Sequence, residues 1–154
     1  LVTAASGSEE GQGSAGAVVP FTPDYAAAGQ MAIRASSFAI RGRDLDFALD
    51  YSDASIEAAD DTGVQLWESL APDHAGEESE EVRANLIVEL GAYFGETLRR
   101  NRGGRWGWTT MDGRRVFAFR TDAGLTAFPL HSARKRLRGE DLDSLVVLYQ
   151  FLSR

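Results

Sequence analysis

Two glutamates seven residues apart, Glu89 and Glu96, flank Tyr93 within one helical pattern and are the groups best placed for acid–base chemistry. Seven residues of α-helix return a side chain to nearly the same face with about 10.5 Å of rise. That exceeds the roughly 6.5–9.5 Å between the carboxyl groups of inverting glycosidases, so a hydrolytic pair requires the two side chains to lean together. The competing reading is an ion-paired face, because Arg100 follows Glu96 by four positions in the favourable acid-first order. A second group of residues is basic and aromatic. Arg102, Arg105, Trp106, Trp108 and Arg115 fall on or beside two short β-type runs. Bases stack on rings while guanidinium groups pair with phosphates, which is the chemistry of a single-stranded nucleic-acid surface. Trp106 and Trp108 also share one strand face, and a shared aromatic face is what packs a sheet onto helices.

Other chemistry is thinner. His74 and His131 are the only histidines, and neither stands in an HExxH pattern or pairs with the other at helical spacing. His131 follows Phe128-Pro129-Leu130 and reads as a residue packed at a helix start. Asp44, Asp46, Asp50 and Asp53 offer oxygens for calcium, yet the loop glycine and closing glutamate of an EF-hand are missing, so the expectation is a solvated acidic edge. No nucleophile elbow, P-loop or dinucleotide fingerprint is present, and Gly103-Gly104 alone does not cradle phosphate. No metal and no cofactor is expected.

The chain has 154 residues, zero cysteines and a formal charge of −7. Its length suits one domain, large enough to bury a core without disulfide or metal support. Cysteine-based catalysis, zinc ribbons and disulfide frameworks are excluded. No apolar run approaches the roughly eighteen residues of a membrane span, and the first residues lack the basic-then-apolar order of a signal peptide. The expected location is the cytoplasm, with export through a leader already removed as the alternative. The net charge hides a division: residues 1–79 hold 14 acids and 3 arginines, whereas residues 80–154 hold 9 acids and 13 basic residues. Indiscriminate binding of nucleic acid by the whole molecule is therefore disfavoured, while a local basic site is not.

Residues 1–20 are mostly small and polar, a composition unable to offset ordering entropy, and read as a flexible tail ahead of a single domain over 21–154. Thr22-Pro23-Asp24 marks a helix start, with Tyr25, Ala28, Ala32 and Ile33 at helical spacing and Gly42 beyond an end near Ile40. Leu45, Phe47, Leu49 and Tyr51 alternate with mostly acidic neighbours, which predicts a short edge strand over 45–50. A second helix follows Ser52. The third opens at Glu77 and carries Val82, Leu86, Leu90, Phe94 and Leu98 at four-residue intervals, the spacing of a central helix. Its Gly91-Ala92-Tyr93-Phe94-Gly95 spacing predicts close internal packing. Asp112-Gly113 and Asp122-Ala123-Gly124 separate β-type runs over 105–110, 114–120 and 125–128, the pattern of a three-stranded antiparallel meander. A basic turn over 129–138 and a helix over 141–152 complete the chain.

Leu49-Asp50-Tyr51-Ser52, Gly91-Ala92-Tyr93-Phe94-Gly95-Glu96, Gly103-Gly104-Arg105-Trp106 and the opening Glu140-Asp141-Leu142-Asp143-Ser144-Leu145 resemble small bacterial, actinobacterial-type domains of unknown function over roughly residues 40–153. Fifteen arginines against one lysine agree with a GC-rich bacterial genome. The resemblance implies a compact α+β unit and assigns no catalytic residue. The expected fold is thus α+β: a short antiparallel sheet, the 105–128 meander with 45–50 as a candidate addition, packed against about four helices. The leading functional expectation is a non-enzymatic domain that binds an unidentified protein partner, since segregated charge favours oriented association. The partner surface would be the acidic strand and helix start from Asp44 to Asp61, including Asp46 and Asp50, or the opposing arginine hairpin. Single-stranded nucleic-acid binding and a hydrolase using Glu89, Tyr93 and Glu96 are the alternatives.

Overall fold

The computed structural model describes residues 2–4, 20–70, 77–140 and 143–154, and the fold is α+β. In chain order the elements are β1 (Val2–Ala4), β2 (Phe21–Pro23), α1 (Tyr25–Asp44), α2 (Ser55–Ser69), α3 (Glu77–Arg102), β3 (Gly104–Met111), β4 (Arg114–Thr121), β5 (Leu125–Ala127), α4 (Pro129–Leu137) and α5 (Leu145–Leu152). The sheet runs β1-β5-β4-β3-β2, antiparallel throughout. Its centre is the expected meander. Trp106 stands opposite Phe119 and Trp108 opposite Phe117, so one face of the sheet is an aromatic layer. Helices α1 and α3 lie against that layer, and α2 and α4 pack on α3 from elsewhere, so α3 runs through the middle of the core.

Several boundaries differ from expectation for identifiable reasons. No strand forms over 45–50. The alternation does sort Leu49 inward and Asp46, Ala48 and Asp50 outward, but Asp46 has a φ of 65° and Phe47 N–H turns back to the Gly42 carbonyl, so the backbone is never extended long enough to pair. Gly42 does not end α1 either. It is buried inside the helix because a Cβ there would strike the Leu49 side chain, and α1 continues to Asp44. Thr22-Pro23 belongs to strand β2, where Pro23 is tolerated at the sheet edge, and the helix cap is Asp24, whose Oδ1 accepts the Ala27 N–H at 2.9 Å. The tail expected over 1–20 needs correction at both ends: Val2–Ala4 pairs with β5, and the Pro20 carbonyl accepts the Thr109 hydroxyl at 2.7 Å. Backbone pairing at a sheet edge requires no large side chain, so composition did not reveal it. Residues 5–19 lie outside the described residues, as do Asp141 and Leu142 of the expected last helix.

Two buried carboxylates tie the layers. Asp60 on α2 accepts Arg136 Nη2 at 2.8 Å and the Leu145 backbone N–H at 3.1 Å, joining α2, α4 and the start of α5. Glu96 on α3 accepts Arg99 Nε and Nη2 at 3.0 and 3.1 Å and the Trp106 indole N–H at 3.0 Å. The two glycines of the α3 spacing serve different contacts. Gly91 meets the Leu130 backbone at the start of α4, and Gly95 lies flat against the Trp106 ring.

Alanine in place of glycine ordinarily gains about 1 kcal/mol in a helix interior. Gly95→Ala should instead lose about 1–3 kcal/mol, because its methyl overlaps the indole. Trp106→Phe, which leaves a buried carboxylate short of a donor, should lose about 2–3 kcal/mol. Urea unfolding of the two variants measures both, and a Gly95→Ala protein more stable than wild type contradicts the packing described.

Candidate functional site

The expected carboxylate pair is not assembled as a catalytic pair. Glu89 lies beside Arg41 of α1, with Oε1 to Nη2 at 3.1 Å but without hydrogen-bond alignment, so it is an ion pair by distance alone. Glu96 is 1% exposed and held by Arg99 and Trp106. Tyr93 between them is turned elsewhere: its hydroxyl accepts the Tyr51 N–H at 2.9 Å and shares a proton with Ser55 Oγ at 2.7 Å. Burial is the main cause that raises the Tyr93 pKa, so the hydroxyl stays protonated.

The basic hairpin is likewise rearranged. Trp106 is 1% exposed and stacks on Phe117 at 5.4 Å, so no base can reach its ring. Trp108 is half-buried, donates its indole N–H to Asp24 Oδ2 at 2.9 Å and carries the Arg115 guanidinium 4.7 Å from its ring centre. Those hydrogen bonds, Ala27 N–H first and the Trp108 indole next, lower the Asp24 pKa. Arg102 pairs with Asp53 at 2.8 Å. Arg105 stays exposed and forms no ion pair among the described residues. The acidic residues do not gather. Asp50 binds the Ser52 hydroxyl and N–H at 2.6 and 3.0 Å, bonds that lower its pKa, and Asp46 is exposed at the left-handed turn. No group able to hold a metal ion occurs among the described residues.

What these placements create is a cleft of about 410 Å³ between α1 and the α3–β3 junction. Helix α1 supplies one wall from Ala28, Gly29 and Ala32, side chains so small that the helix backbone is nearly bare. Glu96, Arg99, Gly104, Arg105 and Trp106 complete the lining, and Arg105, which pairs with Arg120 across the hairpin, also lines a cavity of about 350 Å³ with Phe21, Arg120 and Asp122. Tyr25 forms the rim and is 76% exposed. Tyr25 and Ile33, at helical spacing with Ala28 and Ala32, point outward, since Met31, Ala35, Phe38, Ala39 and Gly42 are the buried residues of α1. The sequence signal available for the cleft was Gly29, a mid-helix glycine against whose missing Cβ nothing packs.

A second cleft, of about 400 Å³, lies where α2 begins beside the end of α3 and α5. Its polar groups are mutually engaged: the Tyr149 hydroxyl donates to Asp53 Oδ1 at 2.5 Å while Arg102 holds Oδ2. Asn101 Nδ2 bridges to the Tyr51 carbonyl at 2.8 Å and reaches the Tyr149 hydroxyl at 3.4 Å. Tyr149 is pushed up to about 12, by burial first and by its bond to Asp53 second. Asp53 is lowered, chiefly by the same bond. This cleft reads as a structural clasp. His131, at the first turn of α4, is lowered by partial burial and then by Arg134 and Lys135 beside it, and has no carboxylate partner among the described residues.

The clasp sets opposite pH limits. A raised tyrosine pKa adds stability that is complete below the unfolded value near 10 and is lost as pH rises through about 12. A lowered aspartate adds stability present above its unfolded value and lost as pH falls through the folded one. Tyr149→Phe should remove the alkaline loss and raise the Asp53 pKa toward the ordinary carboxylate value, as followed by carboxyl-carbon NMR titration. An unchanged Asp53 titration contradicts the clasp. Comparison with protein-family models, with curated proteins and with solved structures finds no match to this chain.

Proposed function

We propose that this chain is a non-enzymatic domain that binds a protein partner through the outer face of α1. The observation that carries this reading is a row of exposed apolar side chains on one face of α1: Tyr25, Ile33 and Ile40 are 76, 62 and 51% exposed. Residues 25, 29, 33, 36 and 40 fall in steps of four, four, three and four, so these side chains line one helix face with only Gly29 and Ser36 between them. Scattered exposed apolar residues are ordinary, whereas a contiguous row marks a contact surface. Burying a side chain of this size is worth about 1.5–3 kcal/mol, so the three residues would act as anchors within a larger contact.

The expected contact surfaces, Asp46 with Asp50 and the arginine hairpin, take a secondary part. Exposed charges steer an approaching partner and set its orientation, while aromatic and aliphatic anchors supply affinity. The non-enzymatic reading is supported by Glu96 and Tyr93, hydrogen-bonded within the fold, and by Glu89, which stands beside Arg41. Nucleic-acid binding through the hairpin retains exposed arginines but no open tryptophan ring there, because Trp106 is buried and Trp108 lies under Arg115.

The test is retention of a partner from the native host on immobilised full chain. Ile33→Asp should reduce retention by about tenfold or more while circular dichroism is unchanged, whereas Val147→Asp, an equally exposed apolar position on α5, should leave it intact. Equal retention by wild type and Ile33→Asp contradicts the proposal.

A further inference from the structure

Resting on the partner-binding reading, we infer that the partner seated on α1 is a second copy of this chain, held as an antiparallel pair of α1 helices about a twofold axis between residues 32 and 33. The spacing of the exposed row points to a copy. Measured from that midpoint, Tyr25 and Ile40 lie at equal distances on either side, as do Gly29 and Ser36, and Ile33 lies half a residue from the centre. A twofold interface is self-complementary, so in the antiparallel order each position meets its mirror position on the other copy. Tyr25 is thereby set against Ile40 of the second copy, Gly29 against Ser36, and the two Ile33 side chains beside each other. Apolar side chains meet at the centre and at both ends, with the two smallest residues between them. The antiparallel order also lays the negative end of each helix dipole beside the positive end of the other.

Gly29 supplies a second observation. A glycine inside a helix costs stability, and nothing in this chain lies within 4 Å of a Cβ built on it, so its bareness serves no contact within the fold. With Ser36 opposite, it lets two helix backbones come close and gives each Ile33 a hollow to enter. Charge supplies the third. The chain carries −7, so two copies repel wherever their acidic surfaces meet. Between Tyr25 and Ile40 the sole charged residue is Arg34, and it is engaged by Asn85 of α3, donating to Oδ1 at 2.8 Å. A face without free charge offers a charged partner nothing to pair with, and through it two chains of like charge can meet. Tyr25 to Ile40 spans about 22 Å of helix. One helix pair of that length lies at the low end of specific interfaces, so a dimer of micromolar strength is expected.

Sedimentation equilibrium of the purified full chain, from about 1 to about 500 µM, tests the proposal. The average mass should rise from that of one chain toward that of two. Ile33→Asp should weaken association about tenfold or more with circular dichroism unchanged, and Val147→Asp should associate as wild type does. Gly29→Gln, which fills the hollow, should also weaken association, yet raise the melting temperature of the dilute monomer because glutamine favours helix over glycine. Loss of association is then separated from loss of fold. The chain has no cysteine, so single-cysteine variants report the register. A mixture of Gly29→Cys and Ser36→Cys chains should cross-link as the mixed pair about tenfold faster than either variant with itself. A monomer at every concentration, association indifferent to Ile33→Asp or to Gly29→Gln, or like variants cross-linking as fast as the mixed pair overturns the proposal. Retention of a different host protein that depends on Ile33, while the pure chain stays monomeric, overturns the second copy and leaves the partner-binding reading standing.

Discussion

The hydrogen bond from the Trp106 indole to Glu96, made across the bare surface of Gly95, is the contact on which the arrangement of sheet and helices depends. A carboxylate at 1% exposure is tolerated only when it is neutralised and its lone pairs are used, and here the indole and the Arg99 fork do both. The bond fixes how far α3 lies from β3 and at what rotation. Because the indole lies flat against Gly95, the bulk of Trp106 is taken into the core and the hairpin cannot present it outward. The same geometry decides what remains open: Arg99 is drawn back along α3, Gly104 and Arg105 begin the strand, and α1 is held at a distance that leaves the cleft.

A second network holds the segment between α1 and α2, which has no regular structure of its own. Tyr51 sits at a φ of 63°, a conformation costing a non-glycine residue about 1–2 kcal/mol. Its ring is stacked on Tyr93 at 4.8 Å and covered by the Arg100 guanidinium at 3.6 Å, while its N–H and carbonyl are bound by Tyr93 and Asn101. These contacts offset the strain and carry the chain into the start of α2, where Asp53 is clasped by Tyr149 and Arg102. Residues that looked available for chemistry in the sequence are thus the ones that hold the fold.

Legibility in the sequence followed the physics of each signal. Asp112-Gly113 and the turn at Asp122 specified the meander because tight hairpins need residues that accept left-handed dihedrals, and Asp112, Gly113 and Gly124 do adopt positive φ. The four-residue period of α3 was legible because both its flanks are covered. Alternation over 45–51 reported burial and not pairing, since a period of two says nothing about whether a neighbouring strand exists. In α1 the helical spacing of Tyr25, Ala28, Ala32 and Ile33 marks the helix but not its buried face, which is built from Met31, Ala35, Phe38, Ala39 and Gly42 while Tyr25 and Ile33 are exposed. The joining of Glu96 to Trp106 was hidden because the shared aromatic face predicts packing of Trp106 on a helix but says nothing of which carboxylate its indole N–H meets. The cleft depends on that long-range contact, so only its glycine was visible.

On the partner-binding reading proposed for this chain, the outer face of α1 supplies the contact and the charge division acts on approach. The claim beneath this account is that Trp106 belongs to the core through Glu96 and is not a surface ring. Hydrogen exchange at the Trp106 indole Nε1–H measures it directly. The account predicts exchange only through global unfolding, at the rate of the most protected α3 amides, whereas exchange as fast as an exposed indole while those amides remain protected would contradict it.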